Sequence, residues 1–164
     1  MNIAFSACDA EVKLWDAGAC VATFAHERPR CSLNRCAYNR SGELTACDFS
    51  DGAVSFLSIK SGVPSTAPLF HLMQPADNVT CLTFNHAGDA LYTGTDAGSV
   101  TVWSTTQRSI VRQYSLSSSP VIDISAACAV GDASGKLHIL NAATHAPPTA
   151  FKDFKTFHSY PRRC

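Results

Sequence analysis

The chain has 164 residues, of which 16% are charged and 46% are hydrophobic. Its 13 basic and 13 acidic residues cancel, which removes the general electrostatic argument for binding nucleic acid or an anionic membrane. No stretch reaches the roughly 18 apolar residues that span a bilayer. Asp9 and Glu11 interrupt the N-terminus where a secretory signal would be apolar. We therefore expect one cytoplasmic domain with a sizeable core and no membrane contact.

The first predicted elements are two alternating segments, Ile3-Ala4-Phe5-Ser6-Ala7-Cys8 and Val12-Lys13-Leu14-Trp15-Asp16. Alternation with a period of two predicts half-buried antiparallel strands. The second segment recurs at residues 54–58, 100–104 and 137–141. Its large residue stands at positions 15, 57, 103 and 140, so the steps are 42, 46 and 37 residues. Such a period, with a Trp-Asp dipeptide, is typical of the blades of a β-propeller.

Two of the units also share the segments that precede this repeat. Residues 33–38 and 79–84 alternate as strands do, and each is followed by a hairpin turn at Gly42 or Gly88. Both glycines precede the next repeat segment by 12 residues. A further strand after each Trp-Asp position ends in an aromatic residue, at Phe24, Phe70, Tyr114 and Phe151. Each unit therefore reads as four short strands joined by tight turns.

On these repeats and the Trp-Asp dipeptide, the chain resembles WD-repeat proteins over residues 1–152. The resemblance implies an all-β fold, a partial β-propeller of about four four-stranded antiparallel blades. The units would cover about residues 1–26, 27–72, 73–115 and 116–152, and residues 153–164 would form a short basic tail.

The same resemblance implies a set of structural repeat residues. In the family, a buried network within a blade joins a Trp, a Ser or Thr, an Asp and a His. Carried over by position, these residues are Asp9 and Trp15 in the first unit, His26 and Asp51 in the second, and His71, Thr95 and Trp103 in the third. Ala7, Phe49, Leu57 and Ala97 stand at other places of the network, so no unit is complete. We expect these residues to be scaffold, with no catalytic role among them.

The two ends of the repeat region are irregular. The first unit lacks its first strand and hairpin, because the chain begins directly at a second strand. The fourth unit is abbreviated, since residues 121–124 run almost directly into residues 128–130. Propellers have about four to eight blades. We therefore expect an incomplete ring, which would be a truncated product, an incomplete gene model or a chain that a partner completes, with exposed edges that favour self-association.

We expect the eight cysteines to form no disulfide and to bind no metal. Four of them fall within predicted strands, where a reduced Cys packs as a small apolar residue: Cys8, Cys47, Cys81 and Cys128. Cys31 and Cys36, with His26 nearby, suggest a zinc site. However, a structural zinc site needs four matched ligands, and Cys36 belongs on the inner side of a strand. We expect no cofactor either.

Two classes of function follow from this pattern. The first is a non-enzymatic scaffold whose loops bind other proteins through aromatic and Arg anchors, with the loop 27–30 and the insertion 61–75 as candidate contacts. The alternative is an enzyme built on a propeller. The sequence places no acidic or His pair to form its site, and a Gly-x-Ser-x-Gly elbow is missing.

The N-terminus carries a narrower resemblance. Phe5-Ser6-Ala7-Cys8-Asp9 leads into the first repeat segment, Phe24-Ala25-His26 follows, and the second unit has Leu57-Ser58 at its Trp-Asp place. This opening is similar to that of the centrosomal and spindle WD-repeat adaptors that recruit the γ-tubulin ring complex. The similarity implies a centrosomal or cytoskeletal location and γ-tubulin complex components as partners. In that family a separate C-terminal helical segment binds γ-tubulin, so microtubule nucleation does not carry over to these residues.

Overall fold

The computed structural model describes residues 3–8, 11–16, 18–25, 31–60, 63–64, 70–73, 77–126, 128–140 and 149–151. Within these ranges the chain forms sixteen strands and no helix. The described residues therefore contain no helix that is long and apolar enough to cross a membrane. Alternating and β-branched segments between Gly-containing turns account for this all-β structure.

The strands form four antiparallel sheets, named blades 1 to 4. Blade 1 contains β1 (Ile3–Cys8), β2 (Glu11–Asp16) and β3 (Ala19–Ala25). Blade 2 contains β4 (Leu33–Tyr38), β5 (Leu44–Phe49), β6 (Ala53–Lys60), β7 (Val63–Pro64) and β8 (Phe70–Met73). Blade 3 contains β9 (Val79–Phe84), β10 (Ala90–Thr95), β11 (Ser99–Ser104) and β12 (Ser109–Ser115). Blade 4 contains β13 (Val121–Ile124), β14 (Ala129–Asp132), β15 (Leu137–Ile139) and β16 (Thr149–Phe151).

The blades are arranged radially, with their first strands innermost. Strand β9 contacts β4 of one neighbouring blade and β13 of the other. Strands β10 and β11 are almost entirely buried, whereas β12 exposes all of its residues except Tyr114. Strands therefore run from the axis to the periphery of each blade, which is the layout of a β-propeller.

Three apolar clusters lie between successive blades and hold them together. The cluster between blades 1 and 2 contains Val12, Leu14, Phe24, Cys31, Cys47, Phe49 and Leu57. The cluster between blades 2 and 3 contains Ala46, Val54, Phe56, Phe84, Leu91 and Trp103. The cluster between blades 3 and 4 contains Cys81, Tyr92, Val100, Tyr114, Val121, Ile124, Cys128, Val130 and Leu140. Because the core lies between sheets, each blade depends on its neighbours for burial.

In blades 2 and 3, the hairpin between the first and second strands has an Asn at the equivalent position. The Oδ1 atom of Asn39 accepts hydrogen bonds from the Leu44 backbone N–H and the Ser41 hydroxyl. The Oδ1 atom of Asn85 accepts from the backbone N–H groups of Gly88 and Ala90. An Asn that bonds its own turn in this way fixes the turn geometry.

These observations confirm the predicted fold class, a partial β-propeller. Among the described residues blade 1 has three strands, and none of them corresponds to the innermost strand that begins the other blades. The described residues do not close a ring. The strands predicted at residues 33–38 and 79–84 have the same bounds in the structure.

Two details of the repeat differ from the prediction. In blade 2 the register pairs Val54 with Leu72, as Val12 pairs with Phe24 and Val100 with Tyr114. The outer-strand equivalent of those aromatic residues is therefore Leu72, whereas Phe70 was predicted. Phe70 instead begins β8, and its ring stacks on that of Phe56 with the centroids 4.3 Å apart.

Cys128 lies in the β13–β14 turn, although a strand was predicted there. Its φ is 64°, and its backbone N–H donates to the Ser125 carbonyl at 2.9 Å. The left-handed conformation closes the short turn that replaces the longer hairpin of the other blades. The thiol is still buried in the core.

Candidate functional site

Blade 3 carries a buried hydrogen bond at the Trp-Asp place. The Trp103 indole Nε1–H donates to Thr93 Oγ1 at 2.8 Å, and both residues are buried. The repeat resemblance assigned the hydroxyl to Thr95, two residues later. The Thr95 hydroxyl instead lies 2.8 Å from that of Ser99 and accepts the Ser99 backbone N–H, so that it stabilises the β10–β11 turn.

The other predicted repeat residues fall at scattered places. Trp15 is half-buried in β2. Asp51 accepts the Ala53 backbone N–H at 3.0 Å in the β5–β6 turn. His71 pairs with Ser55 through the β6–β8 register. Asp9 and His26 lie outside the described residues.

Blade 4 contains a buried polar cluster that sequence reasoning missed. The Asp132 carboxylate accepts hydrogen bonds from the Ser134 hydroxyl at 2.6 Å, from the backbone N–H groups of Ser134 and Lys136, and lies 3.0 Å from His138 Nε2. Burial alone would raise the pKa of Asp132, but the hydrogen bonds from Ser134, His138 and Lys136 outweigh it and hold the pKa well below its ordinary value. The cluster therefore clamps the β14–β15 turn.

The cysteines do not assemble around one point. Cys31 is buried in the cluster between blades 1 and 2, and Cys36 is exposed on β4, contrary to the prediction that it faces inward. Among the described residues, no three His, Cys, Asp or Glu side chains come close enough to hold a metal ion. His26, the third candidate ligand, lies outside those residues.

One end of blades 2 and 3 forms a continuous surface, named the turn face. It carries the β4–β5 turn (residues 40–43), the β9–β10 turn (85–89) and the β11–β12 turn (105–108), because alternate turns of a meander lie at the same end of the strands. The Thr105 backbone N–H and hydroxyl both donate to the Asp89 carbonyl at 3.0 Å. These bonds fix two of the turns relative to each other.

A groove opens on the turn face between blades 3 and 4. Its volume is about 370 Å³, and its lining includes Asn85, Asp89, Tyr92, Arg112, Tyr114 and Leu140. Tyr92, Tyr114 and Leu140 are buried members of the core, so the floor is apolar and rigid. The Asp89 carboxylate accepts a hydrogen bond from Asn85 Nδ2 at 2.6 Å.

Arginine side chains lie over aromatic rings beside both junctions of blade 3. The Arg112 guanidinium is 5.9 Å from the Tyr114 ring centroid at the groove. The Arg108 guanidinium is 5.1 Å from the Phe70 ring centroid at the junction of blades 2 and 3. A ring face attracts a guanidinium and limits its rotamers. Each cation is thus presented to solvent in a restricted position.

Two neighbouring turns also touch on this face. The Arg40 guanidinium in the β4–β5 turn contacts the His86 ring in the β9–β10 turn, with Arg40 Nη1 3.3 Å from His86 Nδ1. Both side chains are exposed. The turn face therefore presents basic groups at the junction of blades 2 and 3, while Arg112 lies at the groove.

The radial blades define a partial β-propeller, and blade 3 carries a buried Trp103–Thr93 bond. Residues 67–104 match the family model "WD domain, G-beta repeat". No curated protein matches the sequence.

Among solved structures, this chain is similar to the β-propeller domain of Cps50 (Swd1) from Myceliophteria thermophila. The sequence identity is 16% and the TM-score is 0.67, over 92% of this chain and 56% of that chain. The present chain therefore spans little more than half the length of that domain. At this level of identity, the similarity establishes the fold alone.

Proposed function

We propose that this protein is a non-enzymatic scaffold that binds other proteins through the turn face. WD repeats on a propeller fold support such a role in general terms. The observation that carries the proposal is the groove between blades 3 and 4, where Arg112 and Asp89 flank an apolar floor.

The groove has the chemistry of an interface anchor site. Buried tyrosines and a positioned arginine are the residue types that dominate binding energy at interfaces. Because Tyr92 and Leu140 already belong to the core, a partner side chain entering the groove meets a surface that needs little ordering. We propose that a partner inserts an apolar side chain with an acidic neighbour that pairs with Arg112.

A pair of matched charge reversals tests this proposal. Arg112→Glu changes the groove, and Lys136→Glu makes the same charge change on the exposed β14–β15 turn at the opposite end of the strands. Tagged wild-type and variant chains are cross-linked in lysate, and the captured proteins are quantified by mass spectrometry. We expect Arg112→Glu to reduce capture of the main partners at least about fivefold, and Lys136→Glu to leave it unchanged. Equal capture by all three chains would contradict the proposal.

The buried His138–Asp132 pair does not favour the enzymatic alternative. The Ser134 hydroxyl donates to Asp132 and not to His138, so the serine is not activated by the imidazole as a nucleophile would be. His138 is 3% exposed and Asp132 is 3% exposed, which leaves a substrate no access to either.

A narrower proposal places this scaffold in the cytoplasm at the centrosome or spindle, with γ-tubulin complex components among its partners. Its support is the resemblance of the opening, from Phe5 through Trp15, to the spindle adaptors. Imaging of a fluorescently tagged chain beside a γ-tubulin marker through mitosis tests it. Enrichment at spindle poles is the expected result, and a diffuse signal at every stage would contradict it.

A further inference from the structure

Two cysteines face each other on the inner hairpin of blade 2. In the β4–β5 register Cys36 stands directly opposite Cys47, and side chains of opposite residues share one face of a sheet. Both residues are thiols in the structure. Among the described strands, no other register pair joins two cysteines. Strand pairing therefore brings these two thiols together and separates the others.

The hydrogen-bond pattern of the hairpin places the two residues at disulfide distance. The Asn39 backbone N–H donates to the Leu44 carbonyl at 2.9 Å, which makes these residues a hydrogen-bonded pair. Hydrogen-bonded and non-hydrogen-bonded pairs alternate along an antiparallel ladder, so Cys36 and Cys47, three positions further along, form a non-hydrogen-bonded pair. The Cα atoms of such a pair lie about 4.5 Å apart, within the range of about 4.4–6.8 Å that a disulfide bridges. A bond between the two sulfur atoms therefore requires little movement of the backbone.

The two thiols differ in burial and hence in reactivity. Cys47 is fully buried in the cluster between blades 1 and 2. Burial raises the pKa of the Cys47 thiol, and the Cys36 thiol raises it further, as a neighbouring thiol does when it is close. Burial also raises the pKa of Cys36, but its side chain is the less buried of the two. Because the thiolate is the nucleophile, Cys36 reacts first and Cys47 resolves the product.

Blade 2 also lacks the side-chain hydrogen bond that blade 3 has at this place. Cys47 occupies the register position of Thr93, and Leu57 occupies that of Trp103. In blade 3 the Trp103 indole donates to Thr93, whereas the Leu57 side chain has no donor. Blade 2 therefore has a pair of thiols where blade 3 has a polar contact between strands.

We propose that Cys36 and Cys47 form a reversible redox site, which a low-molecular-weight disulfide such as glutathione disulfide converts into a cross-strand disulfide. The Cys36 thiolate attacks one sulfur of glutathione disulfide, a mixed disulfide forms, and one glutathione thiolate leaves. The Cys47 thiolate then attacks the Cys36 sulfur and displaces the second glutathione. The two protein thiols give up two electrons and two protons, which the two released glutathione molecules carry away.

Oxidation fastens the inner hairpin of blade 2. A bond between β4 and β5 restricts the unfolded chain, so the oxidised protein is the more stable form. The site lies at the junction of blades 1 and 2, whereas the groove lies between blades 3 and 4. The redox site is therefore independent of the proposed partner binding.

Equilibration of the folded chain in glutathione buffers tests the site. Samples start from the reduced and from the oxidised protein, so the end point is read and the rate at which the oxidant reaches Cys36 does not decide the outcome. After an acid quench the remaining thiols are alkylated. Trypsin places Cys36 in peptide 36–40 and Cys47 in peptide 41–60, so their disulfide joins two separate fragments in mass spectrometry. We expect this linked product to exceed every other cysteine pair at least about tenfold, with the same yield from both starting states.

Thermal unfolding of matched variants provides the second measurement. Oxidation should raise the thermal midpoint of the wild type by about 5 °C or more. The control Cys20→Ser, which removes an exposed cysteine outside the pair, should show the same rise, and Cys36→Ser should show none. No linked product at the oxidising end of the series, linkage of Cys36 or Cys47 mainly to other cysteines, or a link that forms only in urea would overturn the inference. An unchanged midpoint after full linkage would overturn the stabilising role of the bond.

Discussion

Replacement of Asp48 by Asn should stabilise the protein at neutral pH. Asp48 lies in β5, is 1% exposed, and accepts a hydrogen bond from Asn34 Nδ2 at 3.1 Å. Burial raises the pKa of Asp48 to about 6, although the Asn34 bond and the Arg35 charge oppose the shift. In the unfolded chain the carboxyl ionises near pH 4. The folded state is therefore favoured less as pH rises from about 4 to about 6, and the full loss above that range is about 3 kcal/mol.

Asn cannot ionise and can still accept the Asn34 bond, so Asp48→Asn escapes this loss. We expect a gain of about 2 to 3 kcal/mol in the free energy of unfolding at pH 7.5 and little difference near pH 4. Urea unfolding followed by tryptophan fluorescence at several pH values measures it. Glu43→Gln removes an exposed carboxylate from the preceding turn and should change stability by less than about 0.5 kcal/mol. A difference for Asp48→Asn that does not vary with pH, or a loss of stability at pH 7.5, would refute the reasoning.

Three further predictions test the contacts that shape the blades. Trp103→Phe removes the donor to Thr93, and Thr93→Val removes the acceptor. Each should lower the free energy of unfolding by about 1 to 3 kcal/mol. A double-mutant cycle by urea unfolding should give a coupling energy near 1 kcal/mol, and zero coupling would show that the bond contributes nothing. Gly98 and Gly42 both have positive φ, but an added Cβ at Gly98 would clash with the Ser117 and Ser119 carbonyl oxygens. Gly98→Ala should therefore lower the thermal midpoint much more than Gly42→Ala, which should cost about 1 kcal/mol; equal shifts would contradict the clash. Asp132→Asn should destabilise the chain by about 2 to 4 kcal/mol at pH 7. Because the folded pKa of Asp132 is depressed, this contribution is lost as pH falls below about 4, so wild type and variant should converge in acid and a constant gap would be unexpected.

The sequence predicted the radial sheets because their signals are local. Alternation set the bounds of β4 and β9, and the spacing of the repeat segments set the number of blades. Positions that depend on strand pairing could not be predicted from the sequence in the same way. Thr93 and Thr95 both flank Gly94, and the irregular β9–β10 register after Gly94 is not visible in the residue pattern.

The sequence predicted the residue types of the candidate site but not its position. Aromatic and Arg anchors were expected, but the groove combines the β9–β10 turn, strand β12 and Leu140 of the next blade, which no local pattern relates. The loop 27–30 lies outside the described residues. Part of the insertion 61–75 forms the strands β7 and β8. Strand β7 pairs with the last two residues of β6, and β8 pairs with its first four.

Among the described blades, the two central ones are covered by apolar clusters on both faces: blade 2 by Cys47 and Phe49 on one side and Val54 and Phe56 on the other, and blade 3 by Leu91 and Trp103 on one side and Tyr92 and Val100 on the other. In a linear array, the stability of each repeat is set by the neighbours it touches. Amide protons of the central strands of these two blades, β5, β6, β10 and β11, should thus exchange slowest, with protection fading toward both terminal sheets. Damage to the middle of the array would consequently spread in both directions, while changes at either extremity would stay local.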